Sequence, residues 1–391
     1  MAAGTTVEVH GHLAETGQAA RVQLRGGRVA AVQPTEGAPD LWVAPGFVDA
    51  QVNGFGGFDV NAPDPSADDV CAMVEALWRQ GVTSFCPTVV TQSEEQMCRS
   101  LRAVAEAAGR SCLMAHCLPM AHVEGPYLSA EDGPRGAHAR EYIRPASTAE
   151  YERWQRAADG RVGVVTLAPE TPGALEYIRA LAAQGTVMAI GHTGASPALV
   201  REAVDAGARL STHLGNGCHA LLPRLENPIW AQLAEDRLWA SFIFDGHHLP
   251  PEVMKVVLRA KGLARALLVS DSVALAGAPP GSYESPIGGR VELGEDGRLS
   301  LAGSGFLAGS ASPLRVGVRN AMVHAGVGLG AAVRLASANP ARLLGLAGRS
   351  GRGSVRVGKV ADIVVFRLDQ ETKELTVEMT VVAGSVVYEA R

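Results

Sequence analysis

Eight short apolar runs separated by helical patterns limit the possible folds of this 391-residue chain more than any other part of its sequence. Such runs, alternating with amphipathic segments, are typical of parallel β-strands joined by crossover helices. Glycines at positions 81, 185 and 207 follow three of the helical patterns as stop signals. The predicted strands are residues 46–53, 82–88, 115–124, 162–168, 187–192, 210–213, 239–244 and 266–270, and the clearest helices are residues 68–80, 93–108, 173–184 and 197–206.

The two ends of the chain have a different pattern. Residues 6–43 alternate apolar and polar positions, and Gly26-Gly27 separates two such runs as a hairpin turn would. Residues 358–388 look similar. We therefore predict an α/β protein in which a (β/α)8 TIM barrel is inserted into a small β-sandwich domain formed by both termini. The predicted bounds are residues 46–346 for the barrel and residues 1–45 and 347–391 for the β-domain.

Side chains capable of chemistry follow nearly every predicted barrel strand. In a parallel barrel, the carboxyl ends of all the strands open onto one face, where active sites form. Chance would not place acids and imidazoles at consecutive strand ends, so this pattern predicts an active site on that face. The residues concerned are Asp49, Gln51, Asn53, Glu124, Glu170, His192, His213, Asp245, His247, His248 and Asp271.

Glu124, His192 and His213 form the best candidate metal site. One carboxylate and two neutral imidazoles suit Zn²⁺ or Fe²⁺, and three protein ligands leave positions open for a catalytic metal. A single histidine in such a place is more often a hydrogen-bonded loop residue, but three candidate ligands at three strand ends favour a metal. We predict a divalent cation, with Zn²⁺ as the first choice and Fe²⁺ or Mn²⁺ as alternatives.

Asp271 directly follows the last predicted barrel strand. An aspartate in this place can be a helix N-cap or a turn residue. Beside a metal site it can instead act as general base and then general acid. It would take a proton from metal-bound water and deliver it to a leaving amine. We predict this catalytic role for Asp271.

Composition argues against two classes of partner and indicates the cellular compartment. The net charge is −5, and the chain has no basic stripe, which argues against a nucleic-acid partner. No apolar run approaches the roughly 18 residues that a membrane span needs, so no membrane association is expected. The six cysteines include no C-x-x-C pair, and residues 1–12 lack the features of a signal peptide. These features predict a cytoplasmic protein with reduced thiols.

Short motifs occur in a characteristic order along nearly the whole chain. Three of them are specific: H-V-E-G-P-Y at 122–127, T-L-A-P-E at 166–170 and T-H-L-G-N at 212–216. With these motifs, the chain resembles the N-acetylglucosamine-6-phosphate deacetylases of the amidohydrolase superfamily. Weaker single matches are P-G-F-V-D at 45–49, Q-V-N-G at 51–54, G-A-H at 136–138, G-H-T at 191–193, D-G-H-H at 245–248, S-D at 270–271 and G-K-V-A-D at 358–362.

The resemblance implies metal-dependent hydrolysis of the N-acetyl group of N-acetylglucosamine-6-phosphate to glucosamine-6-phosphate and acetate. Metal-bound water would be the nucleophile, and Asp271 the general base and acid. The resemblance also implies the three metal ligands above and a homodimer in which Arg224 reaches the phosphate in the neighbouring subunit. The implied substrate contacts are Ala137 and His138 near the scissile amide, Asn216, Gly217 and Arg224 at the phosphate, and His248, Leu307, Ala308 and Gly309 elsewhere on the sugar.

This chain departs from the pattern in two places. Many amidohydrolases have H-x-H after the first strand and hold a second metal there. Here Gln51 and Asn53 replace it, and because amides bind metal poorly, one metal is expected. Gly217-Cys218 stands where the family usually has alanine and methionine. Alternatives therefore stay open for the substrate, namely N-acetylgalactosamine-6-phosphate or an N-acyl amino acid.

Two other functions fit the sequence less well. A cyclic-amide hydrolase usually has a carboxylated lysine between two metals, and no strand end offers a candidate lysine. A non-catalytic amidohydrolase-like interaction protein would have lost metal ligands. This chain keeps all three together with Asp271.

Overall fold

The computed structural model describes residues 6–286, 289–303, 305–348 and 351–390. Parts of the predicted β-domain, at residues 1–5, 349–350 and 391, lie outside the described residues. The described strands are β1 (Val7–Leu13), β2 (Ala19–Arg25), β3 (Arg28–Pro34), β4 (Trp42–Pro45), β5 (Phe47–Val52), β6 (Gly54–Phe55), β7 (Phe58–Asp59), β8 (Val82–Val90), β9 (Ala121–Glu124), β10 (Val162–Leu167), β11 (Val187–Ile190), β12 (Leu210–Ser211), β13 (Trp239–Ile243), β14 (Ala266–Val269), β15 (Gly281–Ser285), β16 (Gly289–Leu293), β17 (Leu299–Leu301), β18 (Ile363–Leu368), β19 (Leu375–Val382) and β20 (Ser385–Glu389).

The described α-helices are α1 (Ala67–Trp78), α2 (Glu94–Gly109), α3 (Cys112–Cys117), α4 (Thr148–Ala157), α5 (Ala174–Ala182), α6 (Pro197–Ala206), α7 (Pro228–Ala234), α8 (Pro251–Lys261), α9 (Leu314–Val323), α10 (Leu329–Leu335) and α11 (Ala338–Leu343), with a 3₁₀ helix at Arg140–Tyr142. In the part of the chain that the structure describes, no helix is both long and apolar enough to cross a membrane.

Eight parallel strands form the barrel, in the order β5-β8-β9-β10-β11-β12-β13-β14. Residues just after β14 close the ring against β5. The amide of Asp271 donates to the carbonyl of Gln51 at 3.1 Å, and the amide of Asn53 donates to the carbonyl of Ser272 at 2.9 Å. The predicted TIM barrel is therefore confirmed, and the carboxyl ends of its strands share one face.

Helix α1 shows how the outer layer forms. Ser66 caps its first turn by accepting from the amide of Asp69, whose carboxylate in turn accepts from the Ser66 amide. The buried side chains Val70, Val74 and Leu77 follow helical spacing and pack against the barrel core. Burying an aliphatic side chain of this size stabilises a fold by about 1.5–3 kcal/mol.

One predicted barrel strand is wrong in its first half. Residues 115–124 were expected to be extended, but Cys112–Cys117 form helix α3, and the strand begins at Ala121. The physical reason is the Ser111 side chain, which accepts from the amide of Met114 and starts a helical turn. The first residues of the predicted strand therefore belong to helix α3.

A segment between β14 and α9 was not foreseen. Strands β15, β16 and β17 form a separate antiparallel sheet. A small apolar cluster holds this sheet beside the barrel mouth, and its members include Val273, Val291, Leu299 and Ala308. Residues 305–309 follow this sheet in the chain, and Gly305, Phe306, Leu307 and Gly309 line a cavity at the face where the barrel strands end.

The two ends of the chain together form a seven-stranded sheet in the order β20-β19-β18-β4-β1-β2-β3. The predicted hairpin is confirmed, since β2 and β3 pair antiparallel around Gly26-Gly27. Residues 358–361 also bond to β3, so the sheet folds over an apolar interior that includes Val22, Ile363 and Val381. This arrangement fits the expected terminal β-domain, whereas its bounds at 45–46 and 346–347 stay predictions.

Candidate metal centre and active site

The three predicted metal ligands come together at the carboxyl end of the barrel. Glu124 ends β9, and His192 and His213 each lie two residues beyond their strands, β11 and β12. One ligand atom from each residue lies within 4.8 Å of the others. Glu124 Oε1 is 2.9 Å from His213 Nε2 and 3.4 Å from His192 Nε2. All three residues are buried, as a metal site sheltered from bulk water requires.

The backbone is strained at the same positions. His192, His213 and Asp271 have φ angles of 51°, 29° and 49°, in the left-handed region that side chains with a Cβ disfavour. Strain of this kind costs on the order of 1–3 kcal/mol per residue and tends to cluster at functional sites. Stability therefore does not explain the backbone conformation at these three strand ends, and the strain points to a functional site.

The ring of His192 is oriented so that it can bind a metal. Its Nδ1 lies 2.8 Å from the carbonyl of Pro134, which can only accept, so Nδ1 carries the proton and Nε2 keeps its lone pair. Nε2 is the atom that faces Glu124. The residues present therefore fit a divalent cation by donor type, orientation and burial.

Gly217 lies directly against this ring. A Cβ at position 217 would come within 2.7 Å of His192 Nδ1, and the residue has a φ of 58°. Glycine is accordingly the residue that this backbone permits. The glycine that stands here in place of the family's usual alanine is therefore in contact with a proposed metal ligand, His192.

Burial and charge set the protonation states in the site. Burial alone would raise the pKa of Glu124, but the adjacent imidazoles of His192 and His213 hold it well below its usual range. Burial and, to a smaller extent, neighbouring His192 together lower the pKa of His138 to about 3, so His138 is neutral. His138 Nε2 lies 3.2 Å from His192 Nε2.

Asp271 has the electrostatic surroundings of a general base. Burial, followed by the charge of Glu124, raises its pKa to about 6, whereas His213, His248 and Asn53 act in the opposite direction. A base is most effective when its pKa lies near the working pH. The carboxylate is held in place by Asn53 Nδ2, which donates to its Oδ1 at 2.8 Å.

Two amides position the two carboxylates, and sequence reasoning missed this role. Gln51 Nε2 donates to Glu124 Oε1 at 3.0 Å, and Asn53 does the same for Asp271. Both lie two residues apart at the end of the first barrel strand, so they face the same side. This spacing was the available signal, although it could not show which carboxylate each amide would reach.

A cavity of about 350 Å³ opens over the triad. Among the predicted substrate contacts, those that line it with the triad and Asp271 are Ala137, His138, Asn216, Gly217, His248, Leu307 and Gly309. Two predicted contacts do not line it. Ala308 is buried in the small apolar cluster behind the wall, and Arg224 is exposed on the loop before α7.

Other strand-end residues have local structural contacts. The carboxylate of Glu170 accepts from the Thr193 hydroxyl and the Gly194 amide, and His247 Nε2 lies 3.1 Å from the carbonyl of Asp296. Asp245 Oδ2 lies 2.7 Å from His248 Nδ1 and fixes that ring at the cavity wall.

The cavity wall also contains residues that are not among the predicted substrate contacts. Val90 and Phe306 supply apolar surface, and Cys218 and His219 continue the loop after Gly217. His219 Nε2 lies 2.8 Å from Glu131 Oε2, which joins this loop to the loop that carries His138. Their contribution depends on the fold of the loops, which no strand periodicity reveals.

Comparison with known proteins agrees with this geometry. The chain matches the amidohydrolase family over residues 42–387. It is 33% identical over 351 residues to N-acetylglucosamine-6-phosphate deacetylase of Bacillus subtilis, a match that covers 89% of this chain and 85% of that protein. It is 34% identical over 351 residues to N-acetylgalactosamine-6-phosphate deacetylase of Escherichia coli O157:H7, with 88% and 90% covered.

Solved structures give the same result. A mutant N-acetyl-D-glucosamine-6-phosphate deacetylase from Mycobacterium smegmatis, in complex with N-acetyl-D-glucosamine-6-phosphate, has a TM-score of 0.85 and 30% identity. This match covers 98% of the present chain and 100% of the other. The chain therefore belongs to the amidohydrolase family, and the predicted relationship to its N-acetylglucosamine-6-phosphate deacetylases is confirmed.

Proposed function

We propose that this protein hydrolyses the N-acetyl group of N-acetylglucosamine-6-phosphate to give glucosamine-6-phosphate and acetate. The observation that carries the proposal is the buried set of Glu124, His192 and His213 in one cavity with Asp271. The similarity to deacetylases over most of the chain supports the same substrate class.

The chain's own residues supply most of the proposed chemistry. Glu124, His192 and His213 would hold one divalent cation, with Zn²⁺ as the first choice. When bound, such a cation supplies Lewis-acid chemistry, since it polarises a carbonyl and acidifies water. Asp271, fixed by Asn53, accepts a proton from the attacking water and then donates it to the amine nitrogen as the C–N bond breaks.

The neutral ring of His138 is suited to contact the acetyl oxygen. A neutral imidazole can donate a hydrogen bond without adding charge, and His138 lies at the cavity wall beside His192. Charge that develops on the carbonyl oxygen is then stabilised by a donor held in place before the reaction.

The phosphate would bind at the loop after β12. Asn216 and Gly217 line the cavity there, as do Leu307 and Gly309 from the loop before α9. His248 completes the wall near Asp271, where it can contact the sugar. Ala308 would contribute through its backbone, because its side chain is buried away from the cavity.

Arg224 would complete the phosphate site from the partner subunit of a homodimer. In one chain this residue is exposed and lies outside the cavity wall. Leu221, Leu225 and Trp230 lie near it in the chain and are 92%, 76% and 48% exposed. Exposed apolar groups of this size favour burial against a second copy, which would also carry each arginine towards its neighbour.

A second substrate has a specific observation in its favour. The E. coli relative, named for N-acetylgalactosamine-6-phosphate, is as similar to this chain as the one named for the glucosamine compound. The two sugars differ only in the configuration at one hydroxyl. N-acetylgalactosamine-6-phosphate is therefore the alternative substrate.

The test is acetate release from four compounds by the metal-loaded protein. These are N-acetylglucosamine-6-phosphate, N-acetylgalactosamine-6-phosphate, unphosphorylated N-acetylglucosamine and an N-acetyl amino acid. The proposal predicts the highest kcat/KM for the first. A preference for the second would make N-acetylgalactosamine-6-phosphate the substrate instead. Equal rates with and without phosphate would contradict the proposed phosphate site. Light scattering on the same sample tests the dimer, and fractionation of cells tests the proposed cytoplasmic location.

A further inference from the structure

A second cavity lies at the other end of the barrel. It has a volume of about 590 Å³ and forms where helices α10 and α11 meet the turn after β1 and residues 351–359. Pro45, which precedes the first barrel strand, lines it. Helix α11 also sends Ala341 into the apolar cluster that includes the barrel strands. This cavity, called here the basic cavity, is thus separate from the site built on the strand ends.

The wall of the basic cavity is strongly positive. Its charged residues are one carboxylate, Glu15, and five cations, Arg334, Arg342, Arg352, Arg356 and Lys359. The whole chain carries a net charge of −5, so the sign of the charge in this cavity is opposite to that of the chain as a whole. Like charges gathered in one place repel one another, and a bound anion would relieve that repulsion.

Contacts within the chain satisfy only some of these cations. Arg356 pairs with Glu15 at 2.9 Å, and Lys359 Nζ donates to the carbonyls of Ala347 and Gly348. The side chains of Arg334 and Arg342 have no hydrogen-bond or ion-pair partner within the described residues. Both remain available to a ligand.

Arg352 provides an independent sign of a missing partner. Its side chain is only 10% exposed, and its Nε lies 3.5 Å from Asp362 while its Nη2 donates to the carbonyl of His116. Its Nη1 is buried and has no hydrogen-bond partner within the described part of the chain. A buried guanidinium with an unused donor is costly unless another group binds it.

Helix electrostatics alone does not explain the two free arginines. Arg334 and Arg342 lie in the last turns of α10 and α11, where a positive charge is favourable. A capping arginine would donate to the terminal carbonyls of its helix. Neither does so within the described contacts, and both side chains instead border the cavity.

We infer that the basic cavity binds a small molecule bearing more than one phosphate group. Guanidinium groups match phosphate oxygens in geometry, and several cations around one cavity suit a compact ligand with more than one negative charge. A volume of about 590 Å³ lies within the usual range for small-molecule sites. The inference does not depend on the substrate proposed for the other end of the barrel.

Pyrophosphate binding measured by isothermal titration calorimetry, on the metal-loaded full-length protein, tests this inference. The double variant Arg334→Gln and Arg342→Gln removes the two free cations. The matched control, Arg102→Gln and Arg201→Gln, makes the same charge change on exposed positions of α2 and α6 that do not line the cavity. The expected result is that one binding event of the wild type weakens at least tenfold in the first variant and is unchanged in the control.

Three results would overturn the inference. They are no pyrophosphate binding to the wild type, equal binding by both double variants, or citrate bound as tightly as pyrophosphate at the affected site. Pyrophosphate that occupies only the proposed active site would appear as equal binding in both variants. The test therefore separates the two ends of the barrel. Unchanged circular dichroism of each variant verifies that the fold is intact.

Discussion

The two ends of the barrel hold charge in opposite ways. At the carboxyl end, Glu124 and two imidazoles converge in a buried space, and a cation would complete them. At the amino end, five cations line a cavity with one carboxylate, and an anion would complete them. The same scaffold thus presents two incomplete charge sets of opposite sign.

The ends also differ in how firmly their groups are held. Gln51 and Asn53 fix both carboxylates at the carboxyl end, and the backbone there is strained at three positions. Arg334 and Arg342 at the amino end have no such support in the described structure. Preorganised groups are what catalysis requires, whereas binding tolerates mobile side chains. We therefore assign chemistry to the carboxyl end of the barrel and ligand binding to the amino end.

The largest expected effect is loss of metal from the carboxyl end. His192→Ala or His213→Ala removes one of three ligands, so bound metal and acetate release should both fall to near background. His247→Ala is the matched control, because that imidazole follows a barrel strand but lies outside the cavity wall. Metal analysis of the purified variants decides the point. A full complement of metal in both ligand variants would contradict the assignment.

The next effect separates catalysis from metal binding. Asp271→Asn keeps the shape of the side chain but cannot accept a proton, so kcat should fall by about 10²–10⁴ while metal content stays at the wild-type level. Steady-state acetate release and metal analysis on one sample measure both quantities. Wild-type kcat in this variant would remove Asp271 from the mechanism.

Arg224→Ala should have an intermediate effect. A charge-assisted hydrogen bond to phosphate contributes about 1.5–3 kcal/mol, so KM for the phosphorylated substrate should rise by roughly ten- to a hundredfold. Unphosphorylated N-acetylglucosamine should be turned over as before. Kinetics with both substrates and light scattering of the variant separate lost phosphate binding from a lost dimer. An unchanged KM would exclude Arg224 from the phosphate site.

The last effect, on stability rather than on activity, concerns a buried carboxyl beneath the carboxyl end. Burial raises the pKa of Asp49 from 3.8 to about 7, although hydrogen bonds from Ser270 and Gln51 oppose the shift. A folded-state pKa above the unfolded value stabilises the fold most below about pH 4, and this contribution is lost as the pH rises towards 7. The unfolding free energy of the wild type, relative to Asp49→Asn, should therefore decrease over that range, by on the order of a few kcal/mol.

Urea unfolding followed by circular dichroism between pH 4 and pH 8 measures this difference. Parallel pH profiles for the wild type and Asp49→Asn would show that the buried carboxyl is not protonated in the folded state. The result concerns the carboxyl end of the barrel, because Asp49 accepts a hydrogen bond from the amide of Ser270, and Ser270 directly precedes the proposed base Asp271.

Much of the barrel and its site could be predicted from the sequence. Buried parallel strands are short continuous apolar runs, and their carboxyl ends must share one face. This geometry brought Glu124, His192 and His213 together as predicted. The periodicity that predicts a strand does not, however, distinguish it from a short capped helix, which is why α3 was missed.

Other features depend on tertiary contacts that sequence periodicity does not encode. Only three of the thirteen residues in β15, β16 and β17 are buried, so these strands lack a continuous apolar signal. The hydrogen bonds from Gln51 and Asn53 join residues more than seventy positions apart, and the unused donor of Arg352 is visible only once its neighbours are placed.

Chelation and reconstitution would show whether the carboxyl end of the barrel is a metal-dependent deacetylase site. Acetate release from N-acetylglucosamine-6-phosphate would be measured together with metal content, before chelation, after it, and after titration with Zn²⁺, Fe²⁺ or Mn²⁺. We predict that activity disappears with the metal and returns in proportion to one bound cation per chain. Full activity in protein stripped of metal would contradict the account.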